Sequence, residues 1–193
     1  MDGFAGGILF VALEAHFEQT IRSEIEFSGV GLHSGAPVSM RLIPAPAGSG
    51  IVFRRTDLDN FEIAAVGRNV AKVSYATSLM RQSVLISTTE HLLSALIGVG
   101  VDNVIVEVDN LEVPILDGSA LPYVQAFHSV GLKQQRRKRE YLKILKEVEV
   151  RVPNVFVAYR AADNGPWPPG ATAFRLLDGG GRDVFWRRRP ARR

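Results

Sequence analysis

The sequence predicts an α+β domain built as a two-layer α/β sandwich. Three observations carry that expectation. Val38, Met40 and Leu42 alternate with Ser39 and Arg41, the period-two pattern of a half-buried strand. Leu92, Leu93, Leu96 and Ile97 recur at helical spacing and form one apolar face. Strand and helix patterns are mixed along the chain, and 46% hydrophobic content over 193 residues is enough for a core between two layers.

Residues 1–18 read as an N-terminal extension. Within it, Phe4 to Leu13 leans apolar but is about half the length that spans a bilayer. Asp2 where a signal peptide carries Lys or Arg, and no convincing small-residue cleavage site before His16, make it a poor secretion signal. The body runs over residues 19–152. Gly35-Ala36-Pro37 and Pro44-Ala45-Pro46 bound its first clear strand, and Ile51-Val52-Phe53 is a second, leading into Arg54-Arg55-Thr56-Asp57. A helix is expected over Ser87 to Ile97, with Gly98 and Gly100 as stops. Asn103 to Val108 has the β-branched density of a strand. A second helix is expected from Ser119 to Val130, ended by Gly131, followed by Arg136 to Arg139 as a solvated basic loop. Val148, Val150 and Val152 alternate with Glu149 and Arg151 as a last strand. The body contains no internal repeat.

Cysteine is absent, which excludes a disulfide scaffold, a Cys-type zinc site, an iron–sulfur site and a thiol nucleophile. The net charge of +3 hides an asymmetry. Residues 1–153 hold 15 Lys/Arg against 17 Asp/Glu, whereas residues 154–193 hold eight Arg against three Asp. This last stretch also carries Pro166, Pro168, Pro169 and Pro190 and the run Gly179-Gly180-Gly181. Residues 153–193 are therefore expected to be a basic, disordered tail. A functional alternative is an arm for nucleic acid or another anionic surface, but interleaved stacking aromatics are missing.

The segment Ser87-Thr88-Thr89-Glu90-His91-Leu92 has two readings. Ser87 with Glu90 three residues on is a capping box, in which each side chain satisfies a backbone N–H at the helix start. Alternatively, Glu90 and His91 are a reactive pair at a helix N-terminus, a place that favours negative charge. Neutral imidazole ligates zinc, and a carboxylate beside an activated water is what a hydrolytic general base requires. Gly29-Val30-Gly31-Leu32-His33-Ser34-Gly35 is a glycine-rich turn carrying a histidine, without the Lys-Ser/Thr of a phosphate loop. Pro114-Ile115-Leu116-Asp117-Gly118-Ser119 sets an aspartate just before a helix, where aspartate is often a turn residue. His16 and His128 have no ligand set nearby in the sequence.

GVGLHSG (29–35), RRTD (54–57), STTEHLLSAL (87–96), Val101-Asp102-Asn103 and PILDGS (114–119) occur in this order. Together they resemble the UDP-3-O-acyl-N-acetylglucosamine deacetylases, cytoplasmic zinc amidases of lipid A biosynthesis. The resemblance covers about Gln19 to Val152, the first of that family's two similar domains. It implies that Glu90 is the general base and His91 a zinc ligand. It also implies that Asp117 supports a catalytic histidine of the second domain and that His33 lies near the site. The substrate implied is UDP-3-O-acyl-N-acetylglucosamine and the cofactor Zn2+. No nucleic acid and no transmembrane segment are expected, and the chain is expected to be monomeric.

The family's other two zinc ligands, a His and an Asp in a His-Lys-x-x-x-Asp pattern, belong to its second domain. After Val152 the resemblance stops, and the Arg/Pro/Gly-rich composition is of the kind that out-of-frame reading of GC-rich DNA produces. The expectation is a truncated or frame-disrupted family member that is inactive alone. Other possibilities are an inert folded fragment or a non-enzymatic binding module using its basic tail.

Overall fold

The structure is a computed structural model that describes residues 17–72 and 75–140 and the strands at 148–152, 155–160, 173–177 and 183–186. The expectations for Phe4 to Leu13 and for His16 lie outside the described residues.

The first compact unit is Ala15–Arg139. Its strands are β1 (Phe17–Ile21), β2 (Ile25–Val30), β3 (Pro37–Pro44), β4 (Ile51–Arg55), β5 (Phe61–Ala64), β6 (Val70–Lys72), β7 (Ser78–Arg81), β8 (Val84–Ile86), β9 (Val104–Val108) and β10 (Leu132–Lys138). Its helices are α1 (Glu90–Val99) and α2 (Leu121–Val130). The main sheet has the order β2-β3-β9-β4-β5, with only the β9–β4 pair parallel.

One face of this sheet carries the core. The alternation expected at Val38, Met40 and Leu42 is present in β3, and Val104, Val106 and Val108 of β9 face the same way as Met40 and Leu42. Phe53 and Ile63 continue the layer, and Leu92, Ala95 and Leu96 of α1 with Tyr123 and Phe127 of α2 cover it. Each such large side chain contributes about 1.5–3 kcal/mol through burial. This is the two-layer α+β arrangement that the sequence predicts. Gly100 ends α1 in the left-handed region at φ 90°, where its N–H reaches the Leu96 carbonyl at 3.0 Å. The Pro122 ring sits in the first turn of α2, where its missing N–H costs no helical bond.

The opposite face is a charge ladder. Glu26, Arg41, Glu107, Arg54 and Glu62 stand side by side across all five strands, alternating in sign. Arg41 meets Glu107 at 2.8 Å, Arg54 meets Glu107 at 2.9 Å, and Arg54 meets Glu62 at 2.7 Å. Exposed pairs of this kind are each worth about 0–1 kcal/mol. Their larger effect is on register, since a slip of one residue would turn every charge into the core.

Two local expectations are corrected. Helix α1 begins at Glu90, three residues later than Ser87. The basic stretch at Arg136 to Arg139 is mostly strand: β10 runs to Lys138 and pairs antiparallel with β1. Acidic partners make this possible, because Arg137 meets Glu18 at 3.1 Å and Arg139 meets Asp102 at 2.6 Å. The antiparallel trio β6-β7-β8 has no counterpart in the sequence-based expectation.

The described strands of the second unit form an antiparallel sheet in the order β11 (Val148–Val152), β12 (Val155–Arg160), β13 (Ala173–Leu177) and β14 (Asp183–Trp186). Strand β11 is where the sequence predicts it. The structure differs from the expectation of a disordered tail at β12, β13 and β14. Val155-Phe156-Val157-Ala158-Tyr159 and Val184-Phe185-Trp186 are rich in residues that favour strands, which the Arg/Pro/Gly content of the surrounding sequence obscures.

Candidate active site

Glu90 and His91 are the first two residues of α1. The helix start is not a capping box. Thr89 occupies the N-cap position without a side-chain cap bond. Ser87 is engaged elsewhere: its N–H donates to the Leu111 carbonyl at 2.8 Å, and its hydroxyl shares a hydrogen bond with Ser78 at 2.9 Å. The Glu90 carboxylate reaches to another strand connection instead, where Oε2 accepts the Thr77 N–H at 2.9 Å. Thr89 ties the same residue from the other side, donating from Oγ1 to the Thr77 carbonyl at 3.0 Å. One oxygen of Glu90 is thus anchored by a backbone donor, outside the helix's own hydrogen-bond pattern.

His91 is half-buried, and its Nδ1 is buried without a hydrogen-bond partner. A buried ring nitrogen left unpaired forfeits about 1–3 kcal/mol of lost solvation unless something else binds it. An unpaired imidazole nitrogen, on the residue next in sequence to an anchored carboxylate, suits a zinc ligand. The fit covers one ligand only: among the described residues no group of three or more His, Asp or Glu could hold a metal ion.

His33 lies in the turn between β2 and β3, closed by hydrogen bonds from Gly31 N–H to the Ala36 carbonyl at 2.9 Å and from Gly35 N–H to the Gly31 carbonyl at 3.0 Å. Its side chain is exposed and lines a cleft of about 410 Å³ with Ser34, Tyr75, Ser78, Ser87 and Glu112. Asp117 is exposed and acts locally. Its Oδ1 accepts from the Ser119 N–H and hydroxyl, both at 2.9 Å, and Ser119 Oγ accepts the Leu121 N–H at 3.1 Å at the entry to α2. Asp117 also adds to the effect of burial in pushing the Tyr123 phenol up. No hydrogen bond among the described residues joins Asp117 or the His33 ring to Glu90 or His91. His128 is exposed on α2.

Glu112, which the sequence reading passed over, is 1% exposed yet ionisable. Oε2 accepts the Ser34 N–H at 2.7 Å, the His33 N–H is shared between both oxygens at 3.2 Å, and Oε1 accepts the Thr88 hydroxyl at 2.9 Å. Burial pushes the Glu112 carboxyl up, but the hydrogen bonds from Ser34, Thr88 and His33 outweigh it and hold the group below its ordinary value. A lone glutamate between Leu111 and Val113-Pro114 was the available clue, since an acid in an apolar run is either exposed or specifically bound.

The family model described as UDP-3-O-acyl N-acetylglycosamine deacetylase matches residues 18–166. The chain belongs to this deacetylase family. The UDP-3-O-acyl-N-acetylglucosamine deacetylase of Solibacter usitatus is 62% identical over 134 residues, 69% of this chain and 45% of that protein. The enzyme of the same name from Cellvibrio japonicus is 42% identical over 147 residues, 76% of this chain and 48% of that protein. That from Stenotrophomonas maltophilia is 47% identical over 134 residues, 69% and 44% respectively. The chain thus matches somewhat under half the length of these curated relatives. The family match also corrects the limit of the resemblance, which continues to residue 166, past Val152.

Proposed function

We propose that this chain contributes the general base and one zinc ligand of a UDP-3-O-acyl-N-acetylglucosamine deacetylase, a cytoplasmic hydrolase of lipid A biosynthesis. The observation that carries the reading is the pairing, at adjacent positions of α1, of an anchored carboxylate with an imidazole whose buried nitrogen has no partner.

Bound zinc would supply a Lewis acid for the attacking water and the amide carbonyl. The chain's own residues do the rest of what falls to it. His91 holds its position in the ligand set. Thr77 fixes Glu90 through Oε2, leaving Oε1 to accept a proton from the water as its oxygen attacks the N-acetyl carbonyl carbon. The C–N bond then breaks, acetate departs, and the sugar keeps a free amine. Asp117 supports the histidine that protonates this amine, a residue the family carries in its second domain, and His33 lies at the edge of the substrate path. The other two zinc ligands come from that second domain as well, so residues 17–140 supply one ligand of the three that a catalytic zinc takes.

The test is a chimera in which residues 17–139 replace the corresponding part of the Solibacter usitatus enzyme. Deacetylation of UDP-3-O-acyl-N-acetylglucosamine should return, read as acetate released. A folded, zinc-loaded chimera without turnover would sink the assignment.

A further inference from the structure

The buried carboxylate of Glu112 ties two segments that are far apart in sequence: the glycine-rich turn through His33 and Ser34, and the residue two before Glu90 through Thr88. Two features show that the structure is shaped around this contact. Thr88 is held at φ 60°, a left-handed conformation that a β-branched residue rarely adopts and that persists only where its surroundings over-determine it. Gly31 has no room for a side chain, because a Cβ there would run into Ser34 Oγ and the Glu112 carboxylate.

The strained residue decides where α1 can begin. With Thr88 left-handed and Thr89 bound to Thr77, the first helical residue is Glu90, and the directions of Glu90 and His91 follow from that start. Backbone pairing supports the same join, since Ser87 N–H donates to the Leu111 carbonyl and Val113 N–H to the Ser87 carbonyl. We infer that Glu112 is a positioning residue, whose carboxylate sets the start of α1 and so aims Glu90 and His91 relative to the His33 turn. The inference rests on the reading of Glu90 and His91 as the reactive pair.

The test uses the 193-residue chain at fixed neutral pH, with Glu112→Gln followed by backbone amide exchange and the ring resonances of the histidines. Gln keeps the size of the side chain but presents an NH2 group to donors. Exchange at the His33 and Ser34 amides should rise about tenfold or more, the scale of a lost hydrogen bond to a charged group. The His91 ring resonances should move in the folded protein, while those of His128 on α2 stay in place. A merely structural role would lower the melting temperature and leave the folded-state His91 resonances unchanged, and that result overturns the inference.

If Glu112→Gln does not fold, Thr88→Val and Thr88→Ser carry the same test. Loss of the hydroxyl should move His91, and serine should restore it; equal His91 spectra for both variants count against the proposal. These readouts are independent of turnover. Altered His91 resonances together with an inactive, zinc-loaded chimera would leave the positioning role standing and remove the catalytic reading.

Discussion

Glu90 illustrates how one side chain can be tested for two tasks at once. Its structural task is to accept the Thr77 N–H through one oxygen, and the amide oxygen of glutamine can still accept it, though more weakly than a carboxylate. Its proposed chemical task is to take a proton, which an amide cannot do. In the chimera, Glu90→Gln should therefore change folding stability by less than about 1 kcal/mol, within the range of one neutral hydrogen bond. Turnover should fall by roughly 10²–10⁴-fold, the contribution of general-base catalysis. Denaturant titration beside an acetate-release assay separates the two, and near-normal turnover would refute the assignment. His91→Gln should differ in kind, because the amide is a poor zinc ligand: activity and bound metal should be lost together, as atomic absorption would show.

At the scale of elements, the ladder on the open face of the main sheet makes the fold sensitive to acid. Burial raises the Glu107 carboxyl, but Arg41 and Arg54 outweigh it and hold the group below its ordinary 4.5. Its folded-state value is thus lower than its unfolded one. The stability it lends is present above about pH 4.5 and is lost as the pH falls through the folded value. Glu112 has the same sign. Thermal melts from pH 6 down to pH 3 should show the melting temperature falling, and Glu107→Gln should reduce that slope; an unchanged slope would refute the role. The elements differ in how far the sequence reveals them. The alternation in β3 and the apolar face of α1 are visible because burial on one side leaves a period, and α2 is framed by its glycine stop. The strand β10 is hidden, since Arg136 to Lys138 look solvated until Glu18, more than a hundred residues earlier, is placed opposite. The capping box failed for the same reason: Ser87 and Glu90 find long-range partners in Leu111, Ser78 and Thr77 that outcompete the local pattern. Glu90 and His91 stand out in the sequence because they are adjacent, whereas Glu112 does not, because its partners come from two distant segments.

At the scale of the whole molecule, the proposed reading makes His91 one ligand of a larger set. A catalytic zinc ordinarily takes three protein ligands and leaves one position open. The described residues bring together no such group, and the imidazole of His91 is one donor. Its relatives are about twice as long as the stretch they share with this chain, which leaves space in them for the remaining ligands. Affinity for zinc rises steeply with each ligand already in place, because the later ones bind without a further loss of translational freedom. The isolated 193-residue chain should accordingly lose zinc on dialysis and release no acetate from UDP-3-O-acyl-N-acetylglucosamine. Its melting temperature should stay the same with or without the metal, since a ligand bound weakly stabilises little at modest concentration. Zinc retained at one equivalent after dialysis, together with turnover abolished by His91→Ala, would show that the chain completes the site by itself.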